Sequence, residues 1–184
     1  MTIFFTADTH FGHEKAVNYH TDGIKLRPWS TTQDQDQVLK ENWNKVVGPD
    51  DLVYHIGDVY DTSIASNEYI LNQLNGRKIL IKGNLDIADT SEYLKYFDEV
   101  YDTFHTVTVG SITFLLSHFY TTREILEEYH STVNLHGHLH ADCVQDPRYF
   151  CVSLERTNFC PISAEQLLVS LSENQLKFIK NIKF

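Results

Sequence analysis

One unit recurs along this chain: a short apolar run that stops in a tight turn carrying aspartate, asparagine or histidine. The turns are Asp8-Thr9-His10, Gly57-Asp58, Gly83-Asn84, Ser117-His118 and His136-Gly137-His138-Leu139-His140. The runs before them, residues 3–7, 51–56, 78–81, 112–116 and 132–136, have the length and β-forming composition of strands. Helical spacing fills the gaps. Val38, Leu39, Trp43 and Val46 share a face, Thr31 or Thr32 can cap it, and Gly48-Pro49 stops it. Ile70, Leu71 and Leu74 mark a second helix over 64–74, ended by Asn75-Gly76, and further helices are predicted near 92–96, 122–129 and 164–171. Gly110-Ser111 makes a hairpin between 106–109 and 112–116. A β-rich stretch follows at 149–154, and the lysine-dotted 176–184 reads as an edge strand. Strand, polar loop and helix in alternation imply an α/β layer fold. In such sheets ligands bind beyond the carboxyl ends of the strands, where all five turns lie.

The chain has 184 residues, and no linker or low-complexity tract divides it, so one domain spanning 1–184 is expected. No apolar stretch nears the roughly 20 residues of a membrane span, and the first residues lack the basic start of a secretory signal. Three cysteines, Cys143, Cys151 and Cys160, form neither a CxxC pair nor a disulfide framework. A soluble protein of the reducing cytoplasm is predicted, with its oligomeric state left open. The net charge of -10 argues against strong binding to duplex nucleic acid, because no basic surplus exists to release counterions. It does not argue against an anionic substrate: two divalent ions outweigh the charges of Asp8 and Asp58 and make a cationic pocket in an acidic protein.

Ten histidines occur, and seven of them lie within or directly beside the five turns. Asp8 and His10 stand one residue apart, so on extended backbone both point to one side and can chelate an ion. Asp58 has two carboxylate oxygens and can bridge two ions about 3.5 to 4 Å apart. Asn84 adds a neutral amide oxygen, and His118, His138 and His140 add imidazoles. Each turn alone has a plainer reading: Asp-x-His arises by chance, Gly-Asp and Gly-Asn are ordinary turn residues, and a single buried histidine is commonly a hydrogen-bonded one. Their joint occurrence, each after an apolar run, points to a two-metal site.

In this order the five segments resemble the signature of the calcineurin-like metallophosphoesterases, which runs Asp-x-His, Gly-Asp, Gly-Asn-His-Asp or -Glu, a strand-end His, and Gly-His-x-His. The likeness covers residues 8–140. The words around it, Asp8-Thr-His-Phe-Gly-His13, Arg27-Pro-Trp29, Asn42-Trp-Asn44 and Tyr54-His-Ile-Gly-Asp58, are similar to a small bacterial and bacteriophage branch. The resemblance implies a two-sheet β-sandwich flanked by helices. It also implies one ion on Asp8, His10, Asp58 and His140 and a second on Asp58, Asn84, His118 and His138, with a bridging hydroxide attacking phosphorus in line. Manganese is the first choice of metal, with iron, zinc, nickel or cobalt as alternatives.

The sequence departs from the signature at Leu85, where the family has a histidine that protonates the leaving oxygen and contacts phosphate. A positioned general acid contributes about 10² to 10⁴ in rate. The expected activity is therefore hydrolysis of a small, nucleotide-like or other phosphodiester, with phosphomonoesterase or nucleotidase activity as the alternative and a non-catalytic scaffold as a third reading. His13 is the leading replacement acid, ahead of His20, Tyr120 and Asp86; its plainer role is to orient a ligand. Asp58 and His13 are thus the catalytic candidates. Protein phosphatases of the family continue Gly-Asp-x-x-Asp with an arginine, whereas here Thr62 follows Asp61. Arg27 and Arg123 are the alternative phosphate grips, and Trp29 and Tyr120 can stack on a base. His55 and His136 read as buried support, His105 and His130 as surface residues.

Overall fold

The structure, a computed structural model, describes residues 1–60 and 64–171. The first half comprises β1 (Ile3–Thr6), α1 (Glu14–Val17), β2 (His20–Thr21), β3 (Ile24–Lys25), α2 (Thr32–Val46), β4 (Leu52–His55), α3 (Ile64–Leu71), β5 (Arg77–Ile81) and α4 (Thr90–Tyr93). The second comprises β6 (Glu99–Tyr101), β7 (Phe104–Val109), β8 (Ile112–Ser117), α5 (Arg123–Glu128), β9 (Val133–His136), β10 (Tyr149–Cys151), β11 (Ile162–Ser163) and α6 (Ala164–Ser170). The edge strand expected at 176–184 lies outside the described residues.

Two mixed sheets, flanked by helices, form the fold. The first has the order β11-β1-β4-β5-β6, with β1, β4, β5 and β6 parallel and β11 antiparallel to β1. The second has the order β10-β9-β8-β7, parallel except for the β7–β8 hairpin. Side-chain alternation along the first sheet feeds two cores. Phe5, Tyr54 and Ile79 face Phe114, Leu116 and Leu135 of the second sheet, and the ring of Phe5 lies 5.9 Å from that of Phe114. Phe4, Val53 and Leu80 face the other way, against Leu39 and Trp43 of α2 and Tyr93 of α4. A strand buried on both faces has no polar side, which is why these runs read as continuously apolar.

Helix α2 begins as its sequence demands, with the Thr31 hydroxyl accepting the N–H of Asp34 at 3.1 Å. Its Trp43 indole donates to the carbonyl of Asn75 at 3.0 Å, tying it to the turn that precedes β5. Three expectations change. Helix α4 spans Thr90–Tyr93 instead of 92–96, and the Tyr93 ring is buried, stacked 5.6 Å from Tyr60. The β2–β3 ribbon was not foreseen; its turn is Asp22-Gly23, both left-handed. His105 is not a surface residue but partly buried, its ring 4.2 Å from that of Tyr101. Among the described residues no helix is long and apolar enough to cross a membrane.

The carboxyl ends of β1, β4, β5, β8 and β9 meet at one edge, where the following loops are stitched together. The N–H of Asp8 donates to Gly57 at 2.9 Å, that of His10 to Asp58 at 3.1 Å, and that of Gly137 to His118 at 3.0 Å. Gly57, at φ +84°, lets the ends of β4 and β5 touch: a Cβ there would lie 2.5 Å from the nitrogen of Gly83 and 2.7 Å from Nδ1 of His118. Gly110 also has positive φ, at +62°, but its Cβ would meet open space. In urea denaturation Gly57→Ala is expected to cost about 2–4 kcal/mol, backbone strain plus overpacking. Gly110→Ala should cost only about 1 kcal/mol. Equal losses would show that the approach of the two strand ends is not tight.

Candidate metal centre

Asp8, His10, Asp58, His138 and His140 all have positive φ, between 49° and 66°. This corrects the expectation of extended backbone at Asp8 and His10: both are left-handed, a conformation that costs a non-glycine residue about 1–2 kcal/mol. The turn still brings them together, with His10 Nε2 3.7 Å from Asp8 Oδ1 and 3.9 Å from Asp58 Oδ2. Asp86 helps hold the neighbouring turns. Its buried carboxylate accepts the N–H groups of Asp58 at 2.7 Å, Val59 at 3.1 Å and Gly83 at 2.8 Å. Asp86, considered above as a proton donor, is thus occupied as a structural clamp.

Ligand atoms of Asp8, His10 and His140 lie within 4.8 Å of one another, and so do those of Asp58, His118 and His138. Asn84 joins the second group, its Oδ1 3.1 Å from His118 Nε2, which is also 3.4 Å from Asp58 Oδ2. Nδ1 of His118 is fixed as a donor by the carbonyl of Ile56 at 2.9 Å, so Nε2 faces the two oxygens. Two acceptors around one imidazole nitrogen call for a proton or a cation. Without a metal, the proton wins: burial disfavours the charged ring, but hydrogen bonding to Asp58 and the charge of Asp8 raise its pKa to about 9. Burial also pushes Asp58 up, yet His118 holds its carboxyl below the usual range. His10 is buried, its Nε2 has no hydrogen-bond partner, and burial followed by the charge of Arg27 keeps it neutral, as a ligand must be. Asp8 is fully buried, and its pKa rises to about 6 through that burial. An orphaned imidazole nitrogen and buried carboxylates among neutral oxygen and nitrogen donors fit hard or borderline divalent cations.

Residues the sequence reading did not single out hold this site. Ser153 donates to Asp8 Oδ2 at 2.6 Å. Glu155 Oε1 accepts from Nδ1 of His140 at 2.9 Å and from Nε of Arg27 at 2.8 Å, which leaves His140 Nε2 free for a cation. Burial raises the Glu155 carboxyl, but His140 and Arg27 together bring it down to about 2. No local pattern marks either residue; each stands beside the site only because β10 pairs with β9 and carries the chain back.

The expected phosphate grip at Arg27 is corrected. Its guanidinium is buried beneath the ligand loops, donating to Glu155, to the carbonyls of Asp8 at 2.6 Å and Thr9 at 3.0 Å, and to Gln35 at 2.9 Å. Arg123 is exposed and paired with Asp146 at 2.7 Å. Tyr120 stands edge-on to His136 and Tyr149, and Trp29 edge-on to Phe159. None of these four lines the cavity over the ligands. That cavity, about 310 Å³, is bordered by His10, Asp58, Asn84, His138 and His140, and also by His13 and Leu85. Lys15, Ala16, Tyr19 and Glu155 complete its wall. His13 Nδ1 lies 3.2 Å from Nδ1 of His10. His20 bonds to the carbonyl of Asn18 instead. His55, paired with Thr9 and held down to about 3 by burial, and buried His136 are supports.

The profile of the family described as Calcineurin-like phosphoesterase matches residues 1–148. An uncharacterized protein of Methanocaldococcus jannaschii is 27% identical over 180 residues, covering 93% of this chain and 91% of its own. The gene 66 protein of Mycobacterium phage D29 is 28% identical over 183 residues, covering 83% and 87%. Among solved structures, a protein of unknown function from Aquifex aeolicus matches with a TM-score of 0.72 and 28% identity, covering 93% of this chain and 99% of that one. Ser153 and Glu155 lie beyond the matched segment. Glu155→Gln keeps the shape but removes the charge that orients His140, and should weaken Mn²⁺ binding by about 10- to 100-fold in isothermal titration calorimetry. Unchanged affinity would make Glu155 a partner of Arg27 alone.

Proposed function

The chain belongs to the calcineurin-like phosphoesterase family, and from that footing we propose that it hydrolyses phosphodiesters in preference to monoesters. Asp8, His10, Asp58 and His140 would hold one divalent ion and Asp58, Asn84, His118 and His138 the other, Mn²⁺ being the first choice. When bound, such ions supply Lewis-acid charge and bring the pKa of water toward neutrality. Asp58 is the shared residue, one oxygen anchored by the N–H of Leu85 at 2.9 Å and the other turned to His118.

The observation that carries the diester reading is Leu85, which lines the cavity beside Asn84. A monoester dianion spreads its charge over three terminal oxygens, whereas a diester has two and a single charge. An apolar side chain offers no donor, so an additional anionic oxygen against it loses solvation without a replacement hydrogen bond. The penalty falls on the monoester. A leaving oxygen still needs a proton, and His13 is the group at hand. If His10 ligates through Nε2, its Nδ1 carries the hydrogen and donates to Nδ1 of His13, which leaves His13 Nε2 as an N–H donor. His13 then orients a ligand and offers its Nε2–H as a hydrogen bond to the leaving oxygen; full proton transfer needs the imidazolium, in which the His10 contact is given up. The three free cysteines support work in a reducing compartment, the cytoplasm.

With Mn²⁺, bis-p-nitrophenyl phosphate should be cleaved faster than p-nitrophenyl phosphate, and Leu85→His should raise monoester kcat/KM by about tenfold or more, given the size of general-acid effects. A monoester preference in the native enzyme would sink the reading, and no turnover with any divalent ion would favour a scaffold. Across diesters of rising leaving-group pKa, His13→Gln should lose little rate with p-nitrophenoxide and about 10²-fold with alkoxides. A uniform loss would reduce His13 to a support of His10.

A further inference from the structure

Residues 13–29 form an excursion between β1 and α2 that contains no residue of either ligand group, yet it makes one wall of the cavity through Lys15, Ala16 and Tyr19. The excursion is well fastened. Ala16 and Val17 are buried, and Lys25 Nζ donates to the carbonyl of Trp29 at 2.6 Å. Arg27 is locked beneath the ligand loops. The N–H of Tyr19 donates to Ala16 at 3.3 Å, and its carbonyl accepts from Leu26 at 3.1 Å across the base of the β2–β3 ribbon.

Its main chain is thus held on both sides while its ring stays open. The side chain is 52% exposed, with the ring centroid 5.9 Å from that of His140 and inclined by 37°. An aromatic face carried on an anchored backbone, beside a ligand ring and open to the cavity, is a stacking platform that needs no main-chain ordering to receive a base. Lys15 lines the same wall and has no hydrogen bond or ion pair among the described residues. Arg27 and Arg123 are engaged elsewhere, so Lys15 is the uncommitted cation of this wall. A cavity of about 310 Å³ lies at the small end of ligand sites, room for one nucleotide-sized group rather than an oligomer.

We propose that Lys15 and Tyr19 are the specificity-determining residues: Tyr19 stacks on the base of a nucleotidyl diester, and Lys15 donates to its phosphate or sugar oxygens. This selection rests on the diesterase reading. Its test compares two diesters with the same leaving group, thymidine 5′-(p-nitrophenyl phosphate) and methyl p-nitrophenyl phosphate, on the Mn²⁺-loaded enzyme. The native protein should favour the nucleotidyl ester by about tenfold or more in kcat/KM, mainly through KM, which is the scale of one base stack. Tyr19→Leu should collapse that preference and Tyr19→Phe should retain it. Lys15→Met should raise KM for the nucleotidyl ester and flatten its dependence on salt.

No preference in the native protein, or a Tyr19→Leu loss equal on both esters, overturns the proposal. Failure of the diesterase reading looks different: neither diester turns over while p-nitrophenyl phosphate does. Calorimetric binding of thymidine 5′-monophosphate then decides the matter. Binding weakened about tenfold in Tyr19→Leu upholds the stacking wall, and equal binding in the two proteins rejects it.

Discussion

The site depends on main chain that turns left-handed where it leaves a strand. A strand continued past its last paired residue would keep its side chains on the faces of the sheet instead of turning them over its edge. Here Asp8, His10, Asp58, His138 and His140 adopt a conformation that L residues avoid, which redirects them into one cleft. The strain persists because tertiary contacts leave no alternative. Asp86 takes three N–H groups at once, the first ligand loop is bonded to the second, and Gly57 and Gly137 admit contacts that a Cβ would forbid.

That geometry crowds groups of the same hydrogen-bonding sense. Buried carboxylates, an amide oxygen and imidazole nitrogens confront one another; in the absence of a cation, burial disfavours the charged His118 ring but these acceptors raise its pKa to about 9. Divalent cations meet this conflict better, since they accept from every group at once. Around this cluster the protein sets a neutral or paired layer: His10 kept uncharged, Glu155 between Arg27 and His140, and Ser153 on Asp8. Burying Arg27 is tolerable because Glu155 pairs with it while two ligand-loop carbonyls and the Gln35 amide oxygen accept from its other donors. Fold stability and ligand orientation therefore share the same guanidinium.

The metal-binding groups and the walls of the cleft come from different parts of the fold. The strand-end groups that could hold metals follow strands whose side chains pack into the two cores. The walls are lighter structures. Leu85 removes one donor from the rim, while the anchored excursion that bears Lys15 and Tyr19 adds a cation and a flat ring. A common centre can thus serve different esters through changes outside the ligand set.

Much of this was legible in the sequence because it is written in local periodicity. The apolar runs of β1, β4, β5, β8 and β9, the Thr31 cap of α2 and the seven residues gathered at the cleft all follow from spacing over a few positions. The two-residue strands β2 and β3 gave too short a pattern to read, and the stacking of Tyr93 on Tyr60 is not encoded in the sequence around α4. By sequence Arg27 reads as a phosphate grip, but in the fold Glu155, 128 residues away, stands beside it. Tyr19 resembled any tyrosine until His140 stood next to its ring. The sequence by itself determined the strand ends and the chemistry they carry, since both depend on neighbours along the chain. Only the tertiary structure decided which groups orient the ligands and which line the cavity, because those roles arise where distant segments meet.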